Sequence, residues 1–278
     1  MTFFRSLFLL IALLGSLAGS LAFSPLSHAG SSSNDILSQI QKKGEMRIGV
    51  SILPPWVMEN KKGELIGFEI DIARQLAKDI GVKAVFKQYQ WKQMIPALLK
   101  GDIDIIASGL SITPKRALKV NFSRPYSRSG YTLVSNLALT RDFKSIKELN
   151  DKKIYITAIK GSVSASLIEK VFPKATMDLR KTEKEASSAV VNGSVHAFIA
   201  PSPIPEFIAI THSDAVDLPL KDPLLTTKEA FAVNKGNQEM LNYLNSWIIA
   251  HKADKWIKST RKYWFKSLKW QKQVTDLH

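Results

Sequence analysis

The chain has 278 residues, 45% of them hydrophobic, 23% charged and 9% aromatic. That balance is ordinary for a globular protein and excludes a disordered tail, a collagen and a polytopic membrane protein. Lys and Arg number 39 against 24 Asp and Glu, a formal net charge of +15, and cysteine is absent, which excludes disulfides, thiolate metal sites, cysteine nucleophiles and a lipid-modified N-terminal cysteine.

Residues 1–29 have the form of a secretory signal peptide. Arg5 is the only charge in the first 27 residues, an apolar run follows from Leu7 to Leu14, and Ser27-His28-Ala29 supplies the small-x-small cleavage pattern. Gly15, Ser16, Gly19 and Ser20 interrupt the run, which favours cleavage over a membrane anchor. The basic surplus raises nucleic acid as a partner. Lys and Arg are scattered, however, apart from the stretch Lys252 to Lys272. A solvated basic surface is the expectation, with no nucleic-acid partner.

A short polar linker, Ser31 to Asn34, precedes a helix over Asp35 to Lys43, stopped by Gly44. Met46 to Ser51 reads as a strand, and Pro54-Pro55 forces a loop. Ile72, Ala73, Leu76, Ala77 and Ile80 mark one face of a helix over Glu69 to Ile80, capped by Gly81. A strand over Val82 to Phe86 comes next, then a helix carrying Met94, Ile95, Leu98 and Leu99. Ile103 to Ala107 is a strand interrupted only by Asp104. Thr113 is a natural N-cap and Pro114 a natural first helical residue.

The pattern then repeats. Ser145 with Glu148, and Thr182 with Glu185, form capping boxes. Lys153 to Ala158 is a strand, Gly161-Ser162 a turn, and Val163 to Val171 a helix. Another helix ends at Asn192-Gly193. Val195 to Ala200 is a strand followed by a proline-rich turn, Ala230 to Val233 a last strand, and two helices close the chain. Alternating strands and helices predict an α/β fold of mostly parallel sheets in two lobes. Ligands in such folds sit at strand carboxyl ends beside helix starts, which here means Ser108 to Arg116 and Lys160 to Ser164.

Arg116 stands in a first helical turn, where acids are preferred. Its planar fork suits a bidentate grip on a carboxylate. Gly161-Ser162 opens a helix whose N–H groups and dipole form an anion seat. Asp71 and Glu69 read as N-terminal charge and packing partners, and His196 as a structural histidine. No spacing suggests a metal site, a cofactor or a Ser/His/Asp arrangement.

Gly67-Phe68-Glu69-Ile70-Asp71-Ile72, Trp91 to Leu98, Asp102 to Arg116 and Asn121 to Tyr126 together resemble the bacterial extracellular solute-binding proteins, family 3. These are periplasmic receptors of polar amino-acid ABC importers. The resemblance implies two α/β lobes joined by two hinge strands, with crossings near Tyr131 and near Glu229 to Ala232. Lobe one would hold residues 30–131 and 230–278, and lobe two residues 132–229. It implies that Arg116 holds a ligand α-carboxylate, helped by the Ser111 hydroxyl. The Gly109 carbonyl would face the ammonium, its missing side chain leaving room, with Ser108 adjacent. Trp91 would wall the pocket, and Gly161 and Ser162 would take the other side of the carboxylate.

The chain departs from the family pattern in two places. Leu53 stands where an aromatic is usual, in a loop lacking its usual acid. Pro201 stands where an Asp usually meets the ligand ammonium, and Glu206 could substitute only if the following turn brings it back. A basic amino acid is therefore disfavoured.

The expected function is capture of an amino acid or related small carboxylate and its delivery to an inner-membrane ABC permease, by a periplasmic monomer. The alternatives are an enzyme on the same scaffold, similar to cyclohexadienyl dehydratase, and a receptor for a membrane sensor. The missing cleft acids argue against the enzyme.

Overall fold

The computed structural model describes residues 35–267 and 269–274. The signal peptide expected over residues 1–29 lies outside them. Asp35 caps α1 (Ile36–Lys43) by accepting from the Leu37 N–H, and Gly44 ends the helix in the left-handed region. β1 (Glu45–Val50) runs through the centre of the first sheet. A small hairpin, β2 (Met58–Glu59) and β3 (Leu65–Ile66), precedes α2 (Phe68–Ile80). That helix returns the chain to β4 (Lys83–Gln88), parallel to β1. α3 (Met94–Lys100) then leads to β5 (Ile105–Ile106) on the other side of β1.

β5 is shorter than the strand expected over Ile103 to Ala107. Asp104 accounts for the difference. Its carboxylate accepts from the Arg47 backbone N–H at 2.7 Å and pairs with the Arg47 guanidinium at 2.5 Å. A side chain therefore satisfies a β1 donor that a longer ladder would otherwise engage.

α4 (Pro114–Ala117) and β6 (Asn121–Phe122) complete the outward path through the first sheet. The chain then enters the second sheet on β7 (Ser127–Asn136), its longest strand. α5 (Leu137–Thr140) and a 3₁₀ turn over Ile146–Leu149 lead to β8 (Tyr155–Ile159). α6 (Val163–Val171), β9 (Thr176–Arg180), α7 (Glu183–Val191) and β10 (Ala197–Pro201) follow. α8 (Ile204–Thr211), β11 (Val216–Asp217) and β12 (Leu225–Glu229) bring the chain back. β13 (Ala232–Val233) rejoins the first sheet, and α9 (Gln238–Ala253) and α10 (Trp256–Lys266) pack behind it.

The two α/β lobes are thus built on a sheet ordered β4-β1-β5-β13-β6 and a sheet ordered β11-β7-β10-β8-β9, with β12 also on β7. The expectation of mostly parallel pairing needs correction. Each sheet has a parallel nucleus, β4-β1-β5 and β10-β8-β9, extended by antiparallel strands. β13 and β6 extend the first, and β7, β11 and β12 the second. Parallel neighbours need a crossover helix. β7 and β13 instead arrive directly from the other lobe, in the opposite direction.

The segments between the sheets, 123–126 and 230–231, run side by side. The Ser123 N–H donates to the Phe231 carbonyl at 3.0 Å, and the Phe231 N–H donates to Ser123 Oγ at 3.1 Å. The Tyr126 N–H donates to the Glu229 carbonyl at 3.1 Å. Tyr131 lies within β7, opposite Pro201 on β10 and Leu225 on β12.

The capping predictions divide. Ser145 and Glu148 form the full reciprocal box. Thr182 caps α7, but the Glu185 carboxylate accepts from Lys181, one residue earlier than the motif requires. The proline-rich turn after β10 contains α8, because Pro203 and Pro205 fall at its very start, where a missing N–H costs no helical bond.

Candidate functional site

Arg116 is placed by its cap. Thr113 Oγ1 accepts from the Arg116 N–H at 3.2 Å, and Pro114 fixes the first turn. The side chain folds back so that Nη1 donates to the Ser111 carbonyl at 2.9 Å. Nη2 reaches into the other lobe and donates to the Gly161 carbonyl at 3.3 Å. The guanidinium carbon also lies 5.8 Å from the centre of the Trp91 ring. Burial pulls the Arg116 pKa down. Among the described residues no carboxylate pairs with it. A half-buried charge held only by carbonyls and a ring face is poised for an anion.

Beside it lies a cavity of about 20 Å³ lined from both lobes. Leu53, Trp56, Trp91 and Gly109 line it from the first lobe, and Ile159, Ser162, Ser164 and Pro201 from the second. Ser162 caps α6, its hydroxyl accepting from the Ala165 N–H at 3.3 Å. Gly161 turns its carbonyl, rather than an N–H, toward Arg116.

Other predicted residues sit differently. Ser108 is fully buried, accepts from the Ser51 N–H at 3.0 Å, and is not among the cavity's lining residues. The Ser111 hydroxyl shares hydrogen bonds of 3.0 Å with Tyr131 Oη and with Thr227 Oγ1. It thereby ties the Arg116 loop to strands of the second sheet, and it too lies outside the lining. Gly109 lines the cavity, and its missing side chain has a neighbour of its own. A Cβ there would stand 2.6 Å from Trp56 Cδ1, so the glycine makes space for the indole.

Pro201 lines the cavity but offers no side-chain acceptor, as the sequence implies. Glu206 does not substitute for the usual acid. It accepts from the Ser202 hydroxyl at 2.7 Å and is not in the lining. The acid that does face the cavity is Glu229, at the end of β12. It is 1% exposed, and the Ser129 hydroxyl donates to its Oε1. Its Oε2 makes no hydrogen bond of good geometry, and burial raises its pKa. Sequence reading took Glu229 only as a crossing point. β12 lacks clean alternation, so nothing in the pattern showed which way its last residue faces.

Glu69, expected as an N-terminal charge and packing partner, is a fully buried packing partner, with the Tyr126 hydroxyl donating to Oε2 at 2.6 Å. Desolvation pushes its pKa up to about 8. Asp71 is a packing partner, accepting from Trp264 Nε1 at 2.7 Å. His196 accepts from the Tyr155 N–H and stacks on that ring.

The family described as bacterial extracellular solute-binding proteins, family 3, matches residues 46–267. The chain belongs to this family. An ABC transporter glutamine-binding protein of Bacillus subtilis is 32% identical over 207 residues, covering 73% of this chain and 74% of that protein. A putative binding component of an ABC transporter from Wolinella succinogenes, solved with lysine, superposes with a TM-score of 0.76. It is 32% identical over 83% of this chain and 99% of the other. An ancestral amino acid-binding protein, described as a precursor of cyclohexadienyl dehydratase, gives a TM-score of 0.75 at 32% identity, with the same coverage. Family 3 proteins bind solutes, and no helix among the described residues is long and apolar enough to cross a membrane.

Proposed function

We propose that this family 3 solute-binding protein captures an amino acid or related small carboxylate between its lobes in the periplasm and hands it to an inner-membrane ABC permease. The observation that carries this is Arg116, a guanidinium held between lobes with no carboxylate partner. A ligand carboxylate would take its free donors while the start of α6, capped by Ser162, closes from the other lobe. Trp91 would wall the site, and Ser111 would hold the Arg116 loop rather than touch the ligand. The lobes would bend at the crossings 123–126 and 230–231, so that Ser127 to Tyr131, expected in the first lobe, go with the second sheet. The cavity holds the volume of about one water molecule, so ligand entry requires the lobes to part.

Calorimetric titration against amino and organic acids, with Arg116→Ala beside wild type, tests this. Removing one partner of a desolvated charge pair costs about 2–5 kcal/mol. The variant should therefore lose about 30-fold or more in affinity. Wild type that binds no carboxylate, or a variant that binds equally well, ends the proposal.

Glu229 removes the argument that the cleft lacks an acid, and the likeness to a dehydratase precursor keeps an enzymatic reading in play. Release of product from prephenate or arogenate would establish it. Binding without turnover supports the receptor.

A further inference from the structure

Among the described residues, Glu229 is the only acid lining the cavity. One carboxylate oxygen accepts from Ser129, and the other makes no hydrogen bond of good geometry, although the Trp56 indole N–H and the Ser127 hydroxyl lie near the carboxylate. Arg261 approaches from behind but donates to Ser127 Oγ and the Arg128 carbonyl, not to the carboxylate. The Trp56 indole N–H, also lining the cavity, is likewise without a partner of good geometry. A buried carboxylate left half-satisfied is costly unless a donor arrives to complete it.

Tyr131 lines the same cavity, within electrostatic reach of both Glu229 and Arg116. Apart from Ser162 and Ser164, the rest of the wall is largely apolar, with Leu53, Ile159, Phe198, Ile199 and Ala200.

We propose that Glu229 receives the ammonium of a zwitterionic α-amino acid whose carboxylate Arg116 holds, and that the ligand's side chain is uncharged and apolar. This deepens the proposal above and rests on it. Glu229 supplies the charge that Pro201 cannot, from the hinge-side strand rather than from the end of β10. The ammonium is thus anchored where the lobes join, and the carboxylate where they close. No second acid lines this cavity to pair a cationic side chain.

The experiment compares wild type, Glu229→Gln and Glu229→Asp by calorimetry. The probes are L-alanine, L-leucine, L-phenylalanine and L-lysine, each neutral one beside its des-amino acid: propionate, 4-methylpentanoate and 3-phenylpropionate. Wild type should bind a neutral amino acid about tenfold or more tighter than its des-amino partner, and tighter than lysine. Glu229→Gln should erase that ratio while leaving the des-amino acid nearly unaffected. Glu229→Asp, which keeps the charge, should retain a preference for the amino acid and guards against misfolding of the amide variant. A ratio unchanged in Glu229→Gln overturns the inference, as does wild type preferring des-amino acids or lysine. Those outcomes leave the carboxylate reading standing, whereas binding of no probe overturns both.

Discussion

Replacing Gly109 by Ala separates backbone strain from steric conflict, because Gly44 provides a matched control. Both glycines adopt a left-handed backbone, with φ of 65° and 69°. A non-glycine residue there costs roughly 1–2 kcal/mol. At Gly44 an added Cβ meets nothing within 4 Å, so Gly44→Ala should show that cost alone. At Gly109 the Cβ would lie 2.6 Å from Trp56 Cδ1 and 2.8 Å from Nε1. Trp56 is fully buried and packs edge-on against Phe265 at 4.7 Å, so it has little room to retreat. Overpacking of this kind adds about 1–3 kcal/mol. In a protein of this size each kcal/mol moves Tm by about 2–4 °C. Gly109→Ala should therefore melt about 2–12 °C below Gly44→Ala by differential scanning calorimetry. It should also lose ligand affinity, since the displaced indole lines the cavity. Equal melting temperatures for the two variants would refute the argument that the indole fills the space over Gly109.

Asp104→Ala strips the acceptor from the Arg47 amide and guanidinium and should cost about 2–3 kcal/mol in chemical denaturation. A change below half that amount would deny the pair its role in ending β5. The buried Glu69 carboxyl, with its pKa raised to about 8 from 4.5, holds its proton in the folded state across that window while the unfolded chain releases it. Its contribution to stability must fall as pH rises from about 4.5 to about 8 and level off above. Glu69→Gln removes this titration, so wild type should lose ground against the variant between pH 5 and pH 8 in thermal melts. A constant difference would contradict the assigned burial effect.

Sequence revealed those parts of the fold where local chemistry decides the structure. Asp35, Thr113, Ser145 and Ser162 cap helices where their side chains predict, because an N-cap needs only the next few residues. Arg116 was legible because a cation at a helix start runs against the dipole. What escaped was set by distant partners. Asp104 shortens β5 through Arg47, Trp56 occupies the space over Gly109, and Tyr126 buries Glu69. The protein partners of the Ser111 hydroxyl, Tyr131 and Thr227, come from across the fold. Glu229 was hidden for the same reason, since which side of β12 faces the cavity depends on its register with β7.

The paired crossings between the sheets carry one further consequence. Ser123 and Phe231 exchange hydrogen bonds, and Tyr126 is stitched to Glu229 just beyond. Two links fastened edge to edge act like a leaf spring: they flex readily in one plane and resist shear and twist, which would break the stitching. Lobes joined in this way would move along an arc instead of wandering. On the proposed closure, each return would set the Gly161 carbonyl over the same guanidinium, so that recognition would begin from a rehearsed alignment.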